Sequence, residues 1–373
     1  MLHDQPTTGR IPGLDALRCL GALSVVWLHV GSKEWFDDAG WGRWHPLVSG
    51  NTGVVLFYVL SGFLITSLAV DEVRANGRFL LGKFFVRRAL RLFPLYYLAL
   101  LVVFGLSLLG LTTVTARGWW YSLGYAFNFV PRADYNGLIG SFHTLATEEQ
   151  FYLVYGLLLW LLLGRADTRH KLVVGLLGLG VVLLAANLAN DRLPQLFAAY
   201  QQSHFVGRWM PVAADPLLVG ALAAVLVKMP AAVAALGWLA RRPRAHLPLH
   251  LLLLASSLWL FVGYAGWHRS INLLSIGFAL LLVDLHLFRT SRLAVWGEFA
   301  PLAYLGKLSY GIYVWQSVFN GTGPSSRWID SAWLSTTLVF VVSVLSYELY
   351  EKRFLRLKPY GGKRTGGAHL PGA

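Results

Sequence analysis

Ten stretches of this chain are apolar over the length that a helix needs to cross a bilayer, which is about 20 residues. The chain is 56% hydrophobic and only 13% charged, with a mean hydropathy of +0.54. This composition excludes an ordinary soluble domain. The predicted spans are 12–31, 50–70, 92–111, 143–164, 171–189, 211–228, 247–265, 271–288, 299–320 and 332–350.

The positions of the basic residues predict the orientation of these spans in the membrane. Lys and Arg concentrate in cytoplasmic loops, and with both termini cytoplasmic the predicted inside loops hold 22 of the 32 Lys and Arg. Trp119–Val130 is apolar but too short to cross, and counting it as a span would place the Arg165 and Arg241 clusters outside. We therefore predict an all-α, polytopic membrane helical bundle of about ten transmembrane helices. The net charge of +14 then reflects cytoplasmic loops rather than nucleic-acid binding.

The ends of the chain and its single cysteine narrow the prediction further. Cys19 alone excludes an internal disulfide and a cysteine-ligated metal cluster, and we predict no metal site. Asp15 and Arg18 interrupt the first apolar run, and no cleavage pattern follows, so the first span should be retained. Residues 10–355 are predicted to form one membrane domain. Residues 356–373 are basic and Gly-rich, and we expect a short cytoplasmic tail with no appended soluble domain.

The first predicted span carries three ionisable residues on one helical stripe. At about 100° per residue, Arg18 and His29 return to nearly the same face, separated by roughly 16 Å of helix axis. Asp15 lies on that stripe three residues before Arg18. Because each such residue costs about 2.5–3.5 kcal/mol on insertion scales, the stripe predicts a reaction site that runs through the membrane. The alternative is a local Asp15–Arg18 pair with a histidine at the outer interface.

Two further motifs belong to the second and third predicted spans. Ser61-Gly62 supplies one hydroxyl and allows close helix approach, which favours a packing role. A serine nucleophile is not favoured, since no residue of the same span could act as its base. Arg87 or Arg88 shares a face with Arg91, and such a cluster can clamp phosphates through bidentate hydrogen bonds. An ordinary positive-inside anchor or an anionic-lipid contact is an equal alternative.

The remaining polar motifs lie at the fourth and ninth predicted spans. Glu148 and Tyr152 share a face by their i,i+4 spacing, although acidic residues near a helix start are also favoured by the helix dipole. The stretch from Lys307 to Gln316 is polar and aromatic and includes Tyr313, for which interfacial anchoring is the alternative. A weaker motif between these spans contains Arg208, on the predicted outer side, and Asp215, at the buried edge of a span.

In this order, these motifs resemble the acyltransferase-3 family of integral membrane O-acyltransferases, over about residues 10–355. The motifs that carry the resemblance are Arg18-x10-His29, Leu60-Ser-Gly-Phe-Leu-Ile65, Arg87-Arg88-x-x-Arg91-x-x-Pro94 and Glu148-x-Gln150-Phe-Tyr152. Family members O-acylate sugars of surface polysaccharides, peptidoglycan, lipid-linked glycans or natural products. The resemblance implies a multi-pass protein of the inner (plasma) membrane.

The resemblance also implies roles for individual residues. His29 would be catalytic, Arg18 would position the donor, and Glu148 matches the glutamate of the fourth motif. The phosphates of acyl-CoA would bind Arg88 and Arg91, with Arg87 nearby.

Two positions depart from the family pattern. Cys19 stands where the family commonly has Gly, which affects packing more than chemistry. Gln316 stands where the last motif commonly ends in His, and an amide does not exchange a proton near pH 7. Gln316 is therefore kept only as a candidate substrate contact, together with Asp15, Tyr152 and Tyr313.

The favoured hypothesis is an O-acyltransferase that moves a short acyl group, such as acetyl, from acyl-CoA to an acceptor hydroxyl. His29 would act as general base or, in a two-step variant, carry the acyl group. We expect no tightly bound cofactor, with acetyl-CoA as donor substrate. The expected partners are a carbohydrate or other hydroxyl acceptor and membrane lipids, but no nucleic acid. The alternatives are a transporter or flippase for a glycolipid or acyl donor and, more weakly, a non-catalytic lipid-binding subunit.

Overall fold

A computed structural model describes residues 11–31, 50–163, 198–234, 267–289, 291–321 and 328–359, with a few isolated residues at 174–175, 178–182, 185 and 255. Across these residues the chain is helical and forms no strand beyond an isolated antiparallel bridge between Pro131 and His204. The predicted span 247–265 falls almost wholly outside the described residues, as do more than half of 171–189 and most of the 356–373 tail.

The helices follow the order of the predicted spans. They are α1 Leu14–Gly31, α2 Gly50–Asn76, α3 Leu81–Leu108, α4 Ala116–Leu123, α5 Phe142–Leu163, α6 Ala198–Ser203, α7 Met210–Ala213, α8 Asp215–Lys228, α9 Trp267–Leu287, α10 Arg292–Trp296, α11 Ala300–Lys307, α12 Ser309–Phe319, α13 Ala332–Ser346 and α14 Lys352–Arg356. Single-turn 3-10 helices occur at Phe127–Phe129, Arg132–Asp134, Gly137–Ile139 and Val206–Arg208. A π-helical turn, Tyr347–Glu351, joins α13 to α14.

Three of the described helices are long and apolar enough to cross a membrane: Asn51–Asn76, Leu81–Leu108 and Ala332–Arg356. The membrane character and the helical class of the chain follow from them. The number of ten spans and the side of each terminus stay predictions. Trp119–Val130 falls in the eight-residue helix α4 and a 3-10 turn, which are too short to cross a bilayer, as the sequence predicts.

Close helix crossings without side chains between them join α2 to α8 and α1 to α11. A Cβ at Gly62 would lie 1.8 Å from the carbonyl oxygen of Leu217, so only glycine allows α2 to cross α8 this closely. Gly306 of α11 lies equally close to the backbone of Asp15, where an added Cβ would be 1.9 Å from the carbonyl oxygen. The packing role expected of Gly62 is confirmed, and it is the kind of contact that small residues make between membrane helices.

Two irregularities in the last third of the chain differ from the sequence prediction. The predicted span 299–320 divides at Leu308 into α11 and α12, so Lys307 ends one helix and Ser309 begins the next. The predicted span 332–350 instead continues through the π turn to Arg356. Single π turns inside helices are often found at functional sites, because they shift the register of the side chains that follow.

Candidate active site

A cavity of about 730 Å³, including its open mouth, lies between α1, α2, α3, α5 and α12. Aliphatic and aromatic side chains form much of its wall. Its polar wall includes seven side chains from the sequence motifs: Arg18, Ser61, Arg88, Arg91, Glu148, Tyr152 and Tyr313. Five helices from distant parts of the chain therefore meet around one polar space in an apolar bundle.

Arg18, Arg88 and Arg91 form what we call the arginine cluster of this cavity. Arg18 donates a hydrogen bond of 3.1 Å to Asp15 and lies in electrostatic range of both other arginines. The local Asp15–Arg18 pair therefore exists, but Arg18 also faces the cavity. Pro94, three residues after Arg91 in α3, has no N–H and so leaves the carbonyl of Leu90 without its helical partner. Three guanidinium groups offer hydrogen-bond donors to an anion at this wall, and the carboxylates of Asp15 and Glu148 partly offset their charge.

Arg87, the third arginine of the motif, points elsewhere. Its guanidinium is 2.7 Å from the carboxylate of Glu72 on α2 and does not line the cavity. The spacing alone did not distinguish whether Arg87 or Arg88 shares the site with Arg91. The structure brings Arg88 and Arg91 to the cavity and assigns Arg87 to an ion pair between α2 and α3.

Lys358 joins the surroundings of the arginine cluster, although the sequence predicts it to lie in the tail. It follows α14, is half-buried, and interacts electrostatically with all three cavity arginines. Burial and these three positive charges lower the pKa of Lys358 to about 7. The π turn and α14 pack against α3, and Glu351 in the π turn lies in electrostatic range of Arg91. No local pattern around Lys358 points to this position, because it depends on how the last helix crosses α3.

Glu148 lies at the centre of a hydroxyl network on the cavity wall. One of its carboxylate oxygens accepts hydrogen bonds from the hydroxyls of Ser61 and Tyr152. The Arg88 guanidinium lies 5.4 Å from the centroid of the Tyr152 ring and in electrostatic range of Glu148. Because α5 begins at Phe142, Glu148 lies in its second turn, beyond the first turn in which the helix dipole favours an acidic residue.

His29 lies near the last turn of α1, outside the group of described residues that line the cavity. Its Nδ1 is 2.8 Å from the carbonyl oxygen of Val25. Since a carbonyl oxygen only accepts, Nδ1 carries the proton and Nε2 is the basic nitrogen. His29 interacts electrostatically with His143, which in turn interacts with Arg208. The two hydrogen bonds that Glu148 accepts come from the cavity hydroxyls and not from His29.

Arg208 belongs to a group that we call the aromatic platform, formed with Arg132, Tyr135 and Phe205. The Arg208 guanidinium lies 4.0 Å from the centroid of Phe205 and 5.1 Å from that of Tyr135. Arg132 lies 4.1 Å from the same Phe205 ring. Thr147 donates to the backbone oxygen of Arg208 at 2.9 Å, which ties the platform to α5. Arg208 stands out in the sequence, but no sequence signal points to its aromatic partners.

The last two candidate substrate contacts have different surroundings. Tyr313 lines the cavity, shares a hydrogen bond with the hydroxyl of Thr144, and donates to the carbonyl of Ser141 at 3.3 Å. Gln316 is fully buried, and its amide donates to the hydroxyl of Ser141 at 2.8 Å. Gln316 therefore joins α12 to the segment before α5, away from the described cavity wall.

Comparison with known proteins identifies this arrangement. The family model described as an acyltransferase domain, acyltransferase-3, matches residues 11–348. A protein of Staphylococcus aureus strain COL, provisionally named an O-acetyltransferase, is 30% identical over 204 residues, which cover 48% of this chain and 31% of that protein. The O-acetyltransferase OatA of S. aureus strain NCTC 8325 / PS 47 is 28% identical over 201 residues, covering 48% of this chain and 30% of OatA.

These alignments extend over about a third of the length of the curated relatives, and no solved structure matches the chain significantly. The family match, in contrast, includes every motif from Arg18 to Gln316 and continues into the π turn. The chain belongs to the acyltransferase-3 family.

Proposed function

We propose that this protein is a membrane O-acyltransferase that moves a short acyl group, such as acetyl, from acyl-CoA to the hydroxyl of an extracytoplasmic or lipid-linked acceptor. The single observation that carries the proposal is the convergence of Arg18, Arg88 and Arg91 on one cavity that also contains Glu148. The family and its O-acetyltransferase relatives support the reaction class. The donor, the base and the acceptor are our own inferences.

The arginine cluster suits the phosphates of the donor. Arg88 and Arg91 would bind phosphate oxygens, with Lys358 as a fourth cation beside them. The pantetheine arm would extend past Arg18, and Asp15 would hold the Arg18 guanidinium in place through their 3.1 Å hydrogen bond. The thioester would then lie beside Glu148 and Tyr152 on the same cavity wall.

His29 would act on the acceptor side. Its Nδ1 is fixed by Val25, so Nε2 can accept the proton of an incoming hydroxyl as a general base. Since His29 lies beyond the described cavity wall, donor and acceptor would approach the acyl carbon from different directions. Tyr313, between the two regions, would contact the bound substrates. Gln316 would support this wall rather than exchange protons.

The decisive experiment uses the purified full-length chain in lipid nanodiscs with radiolabelled acetyl-CoA and a panel of glycans, lipid-linked glycans and polyketide alcohols. Transfer of label to an acceptor that is lost in His29→Ala supports the proposal. His204→Ala is the matched control, because His204 lies at the bridge with Pro131 and hydrogen-bonds Ser203. Full transfer by His29→Ala would exclude His29 as the base. Failure of unlabelled CoA to protect the protein against thermal unfolding would exclude the donor.

A further inference from the structure

Ser61 is a nucleophile candidate that acquires its base only in the folded chain. Within α2 it has no basic neighbour, but its hydroxyl donates a hydrogen bond to Glu148, which lies 87 positions later on α5. A nucleophile within hydrogen-bonding distance of a carboxylate, with that carboxylate oriented by a third group, is the arrangement that covalent catalysis requires. Tyr152 is the third group, since it donates to the same Glu148 oxygen.

Ser61 also lies where the donor would arrive. It shares the cavity wall with Arg18, Arg88 and Arg91, whereas His29 does not belong to the described wall. A thioester held by the arginine cluster would meet the Ser61 hydroxyl before it could reach His29. A direct transfer would instead require donor and acceptor to meet at His29.

We propose that Ser61 is an acyl-carrying catalytic residue, with Glu148 as its base, and that the acyl group moves from CoA to Ser61 and then to the acceptor. This inference rests on the proposed function and adds a covalent step to it. A serine acts in this way only if the base takes its proton during the attack, and the Glu148 carboxylate is placed to do so.

Both half-reactions balance. In the first, the Ser61 oxygen bonds to the thioester carbon, its proton passes to Glu148, and the carbon–sulfur bond breaks. The CoA leaves as a thiolate, whose charge Arg18 stabilises at the far end of the pantetheine arm. In the second, the acceptor oxygen bonds to the same carbon and its proton passes to His29. The bond to Ser61 breaks, and Glu148 returns the stored proton to Ser61.

The competing role for Ser61 is to hold Glu148 in position without forming a bond to the acyl group. Both roles predict that Ser61→Ala loses turnover, so activity alone cannot separate them. The covalent intermediate separates them, and His29→Ala should accumulate it because that variant completes the first half-reaction and fails in the second.

The test incubates the full-length protein with acetyl-CoA without acceptor and maps acetylated peptides by mass spectrometry. We expect acetyl-Ser61 in His29→Ala and none in Ser61→Ala or Glu148→Gln. Ser67→Ala is the matched control: Ser67 is buried in the same helix, away from the described cavity wall, and its variant should keep turnover.

Two results would overturn the covalent role. One is turnover by Ser61→Ala within tenfold of wild type. The other is an unlabelled Ser61 in a His29→Ala protein that still binds acetyl-CoA. If wild type transfers acetyl groups in either case, the proposed function stands and only the Ser61 step fails. If wild type transfers none, the proposed function itself fails.

Discussion

The arginine cluster and the aromatic platform place the same kind of cation in two different surroundings. In the cluster, Arg18, Arg88 and Arg91 face an open cavity, and Asp15 hydrogen-bonds one of them. In the platform, Arg208 lies over the rings of Phe205 and Tyr135. A guanidinium that faces a cavity attracts a charged ligand, whereas one stacked on aromatic rings organises a surface. The comparison favours donor binding at the arginine cluster and positioning of the acceptor at the platform.

The largest expected effect separates chemistry from donor binding. His29→Ala should lower kcat by about 10²- to 10⁴-fold, the usual contribution of a general base, and should leave the binding of acyl-CoA unchanged. The reason is that His29 lies outside the described wall that would hold the donor. Product formation and CoA titration on the same preparation measure the two quantities. A parallel loss of CoA affinity would remove the distinction between the regions.

The next largest effect should be on the binding of the donor. Arg88→Ala and Arg91→Ala should each raise the KM for acyl-CoA by roughly 10- to 100-fold, because each removes a charged hydrogen bond worth about 1.5–3 kcal/mol. Arg78→Ala serves as the control, since Arg78 is an exposed arginine just before α3. Initial rates against acyl-CoA concentration provide the measurement. Equal KM values in all three variants would contradict the phosphate assignment.

A substitution in the platform should change kcat rather than the KM for acyl-CoA. Arg208→Gln removes two cation–π contacts and the charge next to His143, so we expect kcat to fall by up to about tenfold at an unchanged KM for acyl-CoA. Arg117→Gln is the matched control, because Arg117 already pairs with Asp134 at 3.9 Å. A raised donor KM in Arg208→Gln would show that the platform belongs to the donor site.

The smallest effect concerns pH. Burial and the arginine cluster lower the pKa of Lys358 to about 7, and bound phosphates would raise it. Binding of CoA should therefore take up a proton, and its affinity should fall by roughly a few-fold as pH rises through that pKa. Lys358→Ala should flatten this slope. Lys352→Ala should keep it, because Lys352 is paired with Glu348. Calorimetry in two buffers of different ionisation enthalpy measures the proton directly.

Helical periodicity was enough to predict which residues of the same helix lie on one face. The common stripe of Asp15 and Arg18, the shared face of Arg88 and Arg91, and the contact between Glu148 and Tyr152 follow from spacings of three and four residues. The short, non-spanning nature of the segment after Ala116 followed from its length.

Contacts between helices could not be predicted in this way. The Ser61–Glu148 hydrogen bond joins residues 87 positions apart, and the position of Lys358 depends on the π turn that redirects the last helix. The division of the predicted span at Leu308 also went unseen, because the sequence prediction assigns Lys307 and Ser309 to one polar stripe of a continuous helix. Such features depend on how the helices cross, and the local sequence of one helix does not determine this geometry.

The glycine contacts of α1 have a mechanical consequence. Gly306 touches the backbone of Asp15 on one side, and Gly53 of α2 lies so close on the other that an added Cβ would be 2.4 Å from the carbonyl of Gly21. Because α1 packs against neighbouring backbone at both points, it cannot slide or rock without separating both helix crossings. This favours a stationary scaffold across which a small group is relayed, rather than the moving halves by which a transporter exchanges its openings.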